Sequence, residues 1–248
     1  MPAYEAFAGL YDALMDDVDY DAWAAYYLAL IARMGVEPRT LCDCACGTGS
    51  MAVRFAERGL KVTGVDLSGD MLELARQKAL SHGARVMFVR QDMCELTLPR
   101  PVDAIVCACD GVNYLLSDDQ VRAFFTRARE SLRPGGVLAC DISSPYKLRH
   151  TLGNNFFGED RGDIAYLWDN RWDEASRTVA MDLTFFAREP DGRYRRFDEQ
   201  HTQRAHAPER LAELLAECGF GGVRVMGDRR FDPPAADEPR IHMAAIRE

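Results

Sequence analysis

The chain has 248 residues, of which 48% are hydrophobic and 28% are charged, which is the composition of an ordinary globular protein. Its 39 acidic and 30 basic residues give a net charge of −9, and no basic run is present, so a nucleic-acid partner is not expected. The acidic N-terminus lacks the pattern of a signal peptide, and no apolar stretch approaches about 18 residues, so neither export nor a membrane span is expected. The eight cysteines are therefore expected to be reduced thiols in a cytoplasmic protein.

Short apolar runs and amphipathic helical runs follow one another from about Leu41 onward. The predicted strands are TLCDCA, KVTGVD, RVMFVR, VDAIVCA and GGVLACDIS, and the predicted helices are SMAVRFAERG, SGDMLELARQKALSHG and SDDQVRAFFTRARESL. Ser68 is a predicted N-cap, and Ser117 with Gln120 has the spacing of a capping box. This pattern favours a parallel sheet that is covered by helices on both faces.

The pattern changes after Pro145. The runs IAYLWDNRW, TVAMDLTFFAR and RYRRFDEQHTQR predict a small antiparallel sheet of about three strands, which we call the inserted sheet. The helix PERLAELLAECGF and the closing strands GVRVMG and RIHMAAIR follow it. The expected organisation is an α/β domain at 1–145 and 206–248, with a helical N-terminal flap at 1–36, and an inserted antiparallel lid at 146–205.

A glycine turn, GTG at residues 47–49, joins the first strand to the first helix. Glycines let the backbone approach a ligand closely, and the helix start supplies free N–H groups. Asp66 ends the next strand, where it can accept both hydroxyls of a ribose, and Asp92 ends the third strand, where it can meet an adenine amino group. The turn is not the dinucleotide pattern G-x-G-x-x-G, and Asp43 can receive the amino group of an amino-acid moiety.

The segments LCDCACGTGS, VTGVDLSGDML, RQDM and LRPGGVLACDISSPYKL resemble class I S-adenosylmethionine (SAM)-dependent methyltransferases, and the resemblance extends over essentially the whole chain. It implies a Rossmann-like fold with a seven-stranded, mostly parallel sheet whose last strand is antiparallel. It also implies SAM as the cofactor, S-adenosylhomocysteine as its product, and methyl transfer to a small-molecule acceptor by in-line displacement. The cofactor-binding residues that it implies are Tyr11, Tyr20, Asp43, Ala45, Cys46, Gly47, Gly49, Asp66, Leu67, Met71, Gln91, Asp92, Met93 and Cys109.

Two further features bear on this expected cofactor site, namely the residue at position 45 and the aromatic N-terminal segment. Ala45 stands where many members of the family have glycine, so binding should survive if this position needs no positive φ. The aromatic N-terminal segment is expected to cover SAM, with Tyr11 and Tyr20 nearest the sulfonium, because π faces attract a cation. The alternative is that this segment only packs its aromatic face on the sheet.

Three residues are candidates for the chemistry near the transferred methyl group. Asp110 and Asn113 follow the fourth strand, with a turn cap as the alternative, and His201 is a candidate general base near neutral pH. The residues expected to face the acceptor from the inserted sheet are Tyr166, Trp168, Arg196 and His201. The alternative for each of these residues is a place on the apolar or the solvated face of a small sheet.

The cysteines favour packing over a metal site. Cys42, Cys44 and Cys46 share one face of a strand, and C-x-x-C is absent, so no metal is expected. Two other functions stay open, namely a SAM-binding regulatory module without transferase activity and a nicotinamide-dependent oxidoreductase. The missing G-x-G-x-x-G disfavours the oxidoreductase. A monomer or a homodimer is expected.

Overall fold

A seven-stranded sheet forms the centre of the computed structural model, which describes residues 12, 14, 15 and 18–248. Its strands are β1 (Thr40–Cys44), β2 (Lys61–Asp66), β3 (Val86–Arg90), β4 (Val102–Cys107), β5 (Leu132–Ser143), β10 (Phe220–Met226) and β11 (Arg240–Arg247). They lie in the order β10-β11-β5-β4-β1-β2-β3, and β1 to β5 are parallel. The last strand, β11, is antiparallel to both of its neighbours, which confirms the fold that the resemblance implies.

Helices cover both faces of this sheet. They are α1 (Tyr20–Arg33), α2 (Ser50–Glu57), α3 (Gly69–Ser81), α4 (Asp118–Ser131) and α5 (Pro208–Glu217). Ser68 accepts the Met71 amide, and Ser117 and Gln120 form a reciprocal capping box, so both predicted caps are confirmed. Within the described part of the chain, no helix is both long and apolar enough to cross a membrane.

The inserted sheet has four antiparallel strands rather than about three. They are β6 (Phe156–Asp160), β7 (Ile164–Asp173), β8 (Thr178–Arg188) and β9 (Tyr194–Arg204), and they pair in chain order. The additional strand, β6, is a short and mostly exposed edge strand without polar–apolar alternation, so the sequence pattern gave no signal for it. A π-helical turn, Lys147–Leu152, connects β5 to this sheet.

Candidate active site

A cavity of about 350 Å³ opens at the carboxyl edge of strands β1 to β4, a size within the usual range of roughly 300–1,000 Å³ for small-ligand sites. The predicted cofactor residues that line it are Tyr20, Asp43, Ala45, Cys46, Gly47, Asp66, Leu67, Met71, Gln91, Asp92, Met93 and Cys109. Gly49 does not line this cavity, and Tyr11 lies outside the described residues.

The carboxylate of Asp66 fixes the glycine turn from the neighbouring strand. One oxygen accepts the backbone N–H of Gly47 at 2.7 Å, and the other accepts that of Ser68 at 2.9 Å. Gly49 has a φ of 75°, and a Cβ added there would lie 2.8 Å from the Cβ of Ala75. Gly49 is therefore needed for the close approach of α2 to α3, and Asp66 shapes the turn besides reaching the cavity.

Asp43 carries a buried carboxylate in need of a partner. The residue is 1% exposed, and its Oδ2 has no hydrogen-bond partner among the described residues. Burial, followed by the nearby charge of Asp66, raises the pKa of Asp43 to about 8. A cationic donor from a ligand would relieve both penalties, so this site fits the amino group of SAM.

Ala45 adopts a φ of 57°, so this position does use the left-handed backbone that glycine adopts freely. The condition under which alanine was expected to be harmless is not met, and the strain costs about 1–2 kcal/mol. The alanine methyl group is accommodated because the facing residue is Gly111, where an added Cβ would lie 3.1 Å from that of Ala45.

The loop after β3 is held by its own polar side chains. The side-chain amide of Gln91 donates to the Thr97 carbonyl at 3.1 Å and accepts the Thr97 amide at 3.0 Å. Asp92 accepts the backbone amide of Cys94 at 2.8 Å. Gln91 therefore shapes this side of the cavity, and Asp92 is held at its rim.

The described part of the N-terminal segment contacts the glycine turn. Thr48 donates its hydroxyl to Asp12 at 2.7 Å, and the ammonium of Lys78 donates to Asp12 at 2.8 Å, to Thr48 at 2.9 Å and to Ser50 at 2.6 Å. Together with Tyr20, which lines the cavity, these contacts place part of the segment predicted as a flap beside the glycine turn.

Asp110 lies next to the cavity in an ion pair instead of a turn cap. Its oxygens contact Arg240 Nη2 at 2.8 Å and Gln203 Nε2 at 2.8 Å, and it makes no capping hydrogen bond. Burial alone would raise the pKa of Asp110, but the cations of Arg240 and Lys147 hold it below its usual range. An ionised, paired carboxylate of this kind is a weak base.

The structure places Asn113 differently from the sequence prediction. The residue is completely buried, and its amide nitrogen donates to the carbonyls of Ser143 at 3.0 Å and Arg204 at 2.9 Å. Its Oδ1 accepts the Ser143 amide at 2.9 Å. Because its polar atoms join the ends of β5 and β9, Asn113 supports the framework of the site, and it does not line the cavity.

His201 is also unsuited to the predicted role of a base near neutral pH. It is 7% exposed, its ring packs edge-on against Tyr114 with centroids 6.1 Å apart, and burial lowers its pKa to about 4. The imidazole is neutral at pH 7 and is a weaker base than an exposed histidine. Tyr114 lines the cavity, so His201 lies directly behind the cavity wall.

The other predicted lid residues occupy different faces of the inserted sheet. Tyr166 lies in a cluster with Met71, which lines the cavity, and Trp168 packs in a second apolar cluster. Arg196 points outward and pairs with Asp198 at 2.9 Å. Period-two alternation along β9 puts this even-numbered residue on the solvent face of the inserted sheet, opposite the face that carries His201 and Gln203.

The cysteines are packed in the core and around the cavity. Cys42 and Cys44 lie on β1 in one apolar cluster, together with Cys107 and Cys140 from neighbouring strands. Burial raises the pKa of each of these thiols. The described residues contain no group of three or more His, Cys, Asp or Glu side chains arranged to hold a metal ion.

Cys42→Ala is therefore expected to change SAM affinity by less than about twofold, because Cys42 lies in the core and does not line the cavity. Elemental analysis of the purified protein should find well under one zinc per chain, and calorimetry should give the affinity. One tightly bound zinc per chain, lost in Cys42→Ala, would contradict the packing interpretation.

A buried network behind the cavity was missed in the sequence. Asp141 is completely buried and accepts hydrogen bonds from Tyr27 Oη at 2.6 Å, Cys109 N at 2.8 Å and Asp110 N at 3.0 Å, and it also pairs with Arg240. The available signal was one carboxylate within the apolar run GGVLACDIS. Asp141 holds the backbone after β4 in its positive-φ conformation, so it positions one wall of the cavity.

Comparison with known proteins agrees with this geometry. A family model described as a methyltransferase domain matches residues 41–136. A Bacillus subtilis (strain 168) protein named "Putative methyltransferase YqeM" is 36% identical over 98% of this chain and 96% of its own length. A dTDP-4-amino-2,3,4,6-tetradeoxy-D-glucose N,N-dimethyltransferase of Saccharopolyspora spinosa is 32% identical over 52% of this chain and 51% of its own length.

Among solved structures, a SAM-dependent methyltransferase from Clostridium acetobutylicum ATCC 824 has a TM-score of 0.89 at 31% identity, with 98% of both chains covered. The Bacillus and Clostridium proteins match almost the whole chain, and the cavity offers a buried carboxylate oxygen without a hydrogen-bond partner among the described residues, beside a glycine turn. The protein therefore belongs to the SAM-dependent methyltransferases.

Proposed function

We propose that the protein transfers the methyl group of SAM to a small-molecule amine that binds between the cofactor cavity and the inserted sheet. The observation that carries this proposal is the position of the inner face of that sheet. Gln203 contacts Asp110, His201 packs on Tyr114, and Phe185 packs on Met71, so this face follows the cavity along its length.

A buried carboxylate lies between these contact points and supports an amine acceptor. Glu199 is 6% exposed. It pairs with Leu183 on β8, which pairs in turn with Trp168 on β7, and this row lies between the rows of His201 and Phe185. Carboxylates and aromatic faces are the groups with which proteins bind ammonium ions. The dTDP-amino-sugar N,N-dimethyltransferase among the relatives acts on an amine by its name, which agrees with this acceptor class.

The residues of the chain mainly orient and enclose the reactants. SAM, when bound, supplies an electrophilic methyl group whose transfer neutralises a sulfonium. Asp43 would hold the amino group and Asp66 the ribose, and the packing of Phe185 on Met71 covers the cavity on the side of the inserted sheet. Alignment and the exclusion of water are what a methyl transfer of this kind requires from a protein.

Both SAM and S-adenosylhomocysteine are expected to raise the melting temperature, whereas NAD should leave it unchanged. Ligand at about 100 times its dissociation constant adds about 2.7 kcal/mol to the free energy of unfolding. Thermal denaturation with each ligand at millimolar concentration measures this shift. A shift with NAD alone would contradict the proposal that the cavity binds SAM and would favour the oxidoreductase alternative.

The acceptor class is tested by following S-adenosylhomocysteine release with a panel of small amines and their hydroxyl analogues. We expect release with at least one amine and none with its matched alcohol. Equal turnover of the alcohol would contradict nitrogen as the acceptor atom. Tight SAM binding without release from any acceptor would favour the regulatory module.

A further inference from the structure

Lys147 places a cation next to the turn that follows β4. The residue is half-buried at the start of the π-helical turn Lys147–Leu152. Its ammonium interacts electrostatically with Asp110, Asp141 and Asp228, yet its Nζ makes no ion pair or hydrogen bond with any side chain in the described part of the chain. Only the backbone N–H of Lys147 does so, to Ser144 Oγ at 3.0 Å. Burial lowers the pKa of Lys147, as expected for a charge without a direct partner.

The carboxylates around Lys147 are already paired with other groups. Arg240 joins Asp110 and Asp141, and Gln203 donates to the second oxygen of Asp110. Asp141 also accepts the Tyr27 hydroxyl. A lysine whose neighbours are satisfied in this way keeps three N–H donors for a ligand.

A second donor points to the same kind of ligand. The indole Nε1–H of Trp168 is buried and has no acceptor among the described residues. Trp168 packs in the apolar cluster that contains Leu148 and Leu152, the two buried residues of the turn that Lys147 begins. Buried donors without acceptors are costly, so a ligand rich in acceptor atoms would stabilise this region.

We propose that Lys147 binds an anionic group, a carboxylate or a phosphate, on the methyl acceptor, which is therefore an amine that also carries negative charge. This inference rests on the proposed function because it takes the acceptor to lie between the cavity and the inserted sheet. It assigns to Lys147 a role in selecting the acceptor, separate from cofactor binding.

The test uses the full chain saturated with S-adenosylhomocysteine, so that added anions do not occupy the cofactor cavity. Inorganic phosphate and acetate are titrated by calorimetry at constant ionic strength, with acetamide as the neutral control. We expect saturable binding of phosphate, acetate or both, weakened about tenfold or more by Lys147→Met. The anion that binds more tightly identifies the anionic group of the methyl acceptor as a phosphate or a carboxylate.

Lys61→Met is the matched control. Lys61 is exposed at the amino end of β2, whereas the cavity opens at the carboxyl ends of the strands. If Lys147→Met fails to fold, Lys147→Gln replaces it. Equal anion affinity in the Lys147 variant, or no saturable anion binding by the parent protein, overturns the inference. Turnover of amines by a protein that binds no anion would refute this inference and leave the proposed function intact.

Discussion

Asp66→Ala is expected to weaken SAM binding by about 30- to 1000-fold. If the carboxylate accepts both ribose hydroxyls, alanine removes two charge-assisted hydrogen bonds of about 1.5–3 kcal/mol each. Water entering the gap recovers part of this, which leaves a loss of roughly 2–4 kcal/mol. Calorimetric titration with SAM measures the affinity.

The structure adds a second reason for this loss. Asp66 also accepts the backbone amides of Gly47 and Ser68, so alanine frees the glycine turn as well. Asp66→Asn keeps one acceptor oxygen and should be milder than alanine, but its amide nitrogen would face one of these N–H groups. We therefore expect asparagine to fall between alanine and the parent in affinity, and both variants to lose some stability.

Asp70→Ala is a suitable control for Asp66→Ala, because Asp70 is exposed in the first turn of α3 and does not line the cavity. Removing its carboxylate should leave SAM affinity nearly unchanged. If Asp66→Ala binds SAM within about threefold of the parent protein, the cofactor does not lie across the end of β2 as we propose.

Local sequence signals were sufficient to bring most of the predicted cofactor residues to one cavity. Asp43, Asp66 and Asp92 lie at or near the ends of three strands, and parallel strands bring such ends to one edge of a sheet. The caps at Ser68 and Ser117 depend on residues three positions away, which a sequence pattern can show.

The side of the cavity that faces the inserted sheet depends on contacts that no local pattern contains. Asn113 joins strands that are far apart in the chain, and its full burial follows from that position. Arg240 reaches Asp141 because β11 pairs antiparallel with β5 in one particular register, with Arg240 opposite Ser143. Strand register and burial therefore decide which polar residues face a ligand and which serve the framework.

SAM binding at pH 6 is expected to release about one proton per chain, and SAM affinity should rise nearly tenfold per pH unit up to about pH 7.5. The pKa of Asp43 is raised to about 8 by burial and by Asp66, so its carboxyl is protonated in the ligand-free protein at pH 6. A ligand ammonium favours the ionised form, and the displaced proton leaves to solvent. An α-amino group titrates at about 7.7–8.0, so SAM takes up no proton at pH 6.

The raised pKa of Asp43 also makes the stability of the ligand-free protein depend on pH, but this stability falls as the pH rises, whereas SAM affinity increases. A carboxyl with a raised pKa in the folded state favours folding most while it is protonated. Its contribution is therefore lost as the pH rises from about 4, the pKa of an unfolded aspartate, to about 8. Asp43→Asn, which does not ionise, should remove this part of the decline in the free energy of unfolding.

Calorimetry in buffers of different ionisation enthalpy counts the protons released when SAM binds. Asp43→Asn should bind SAM more weakly at pH 7.5, release almost no proton at pH 6, and show little change in affinity between these values. Burial raises the pKa values of the nearby thiols of Cys42, Cys44 and Cys46, so these groups stay neutral in this pH range. The pKa of Asp66 is also raised by burial. The Asp43→Asn variant therefore distinguishes proton release by Asp43 from proton release by Asp66. If the parent protein binds SAM at pH 6 without releasing a proton, Asp43 does not receive the amino group of the cofactor, because a buried carboxyl that stays protonated gives that cation no counter-charge.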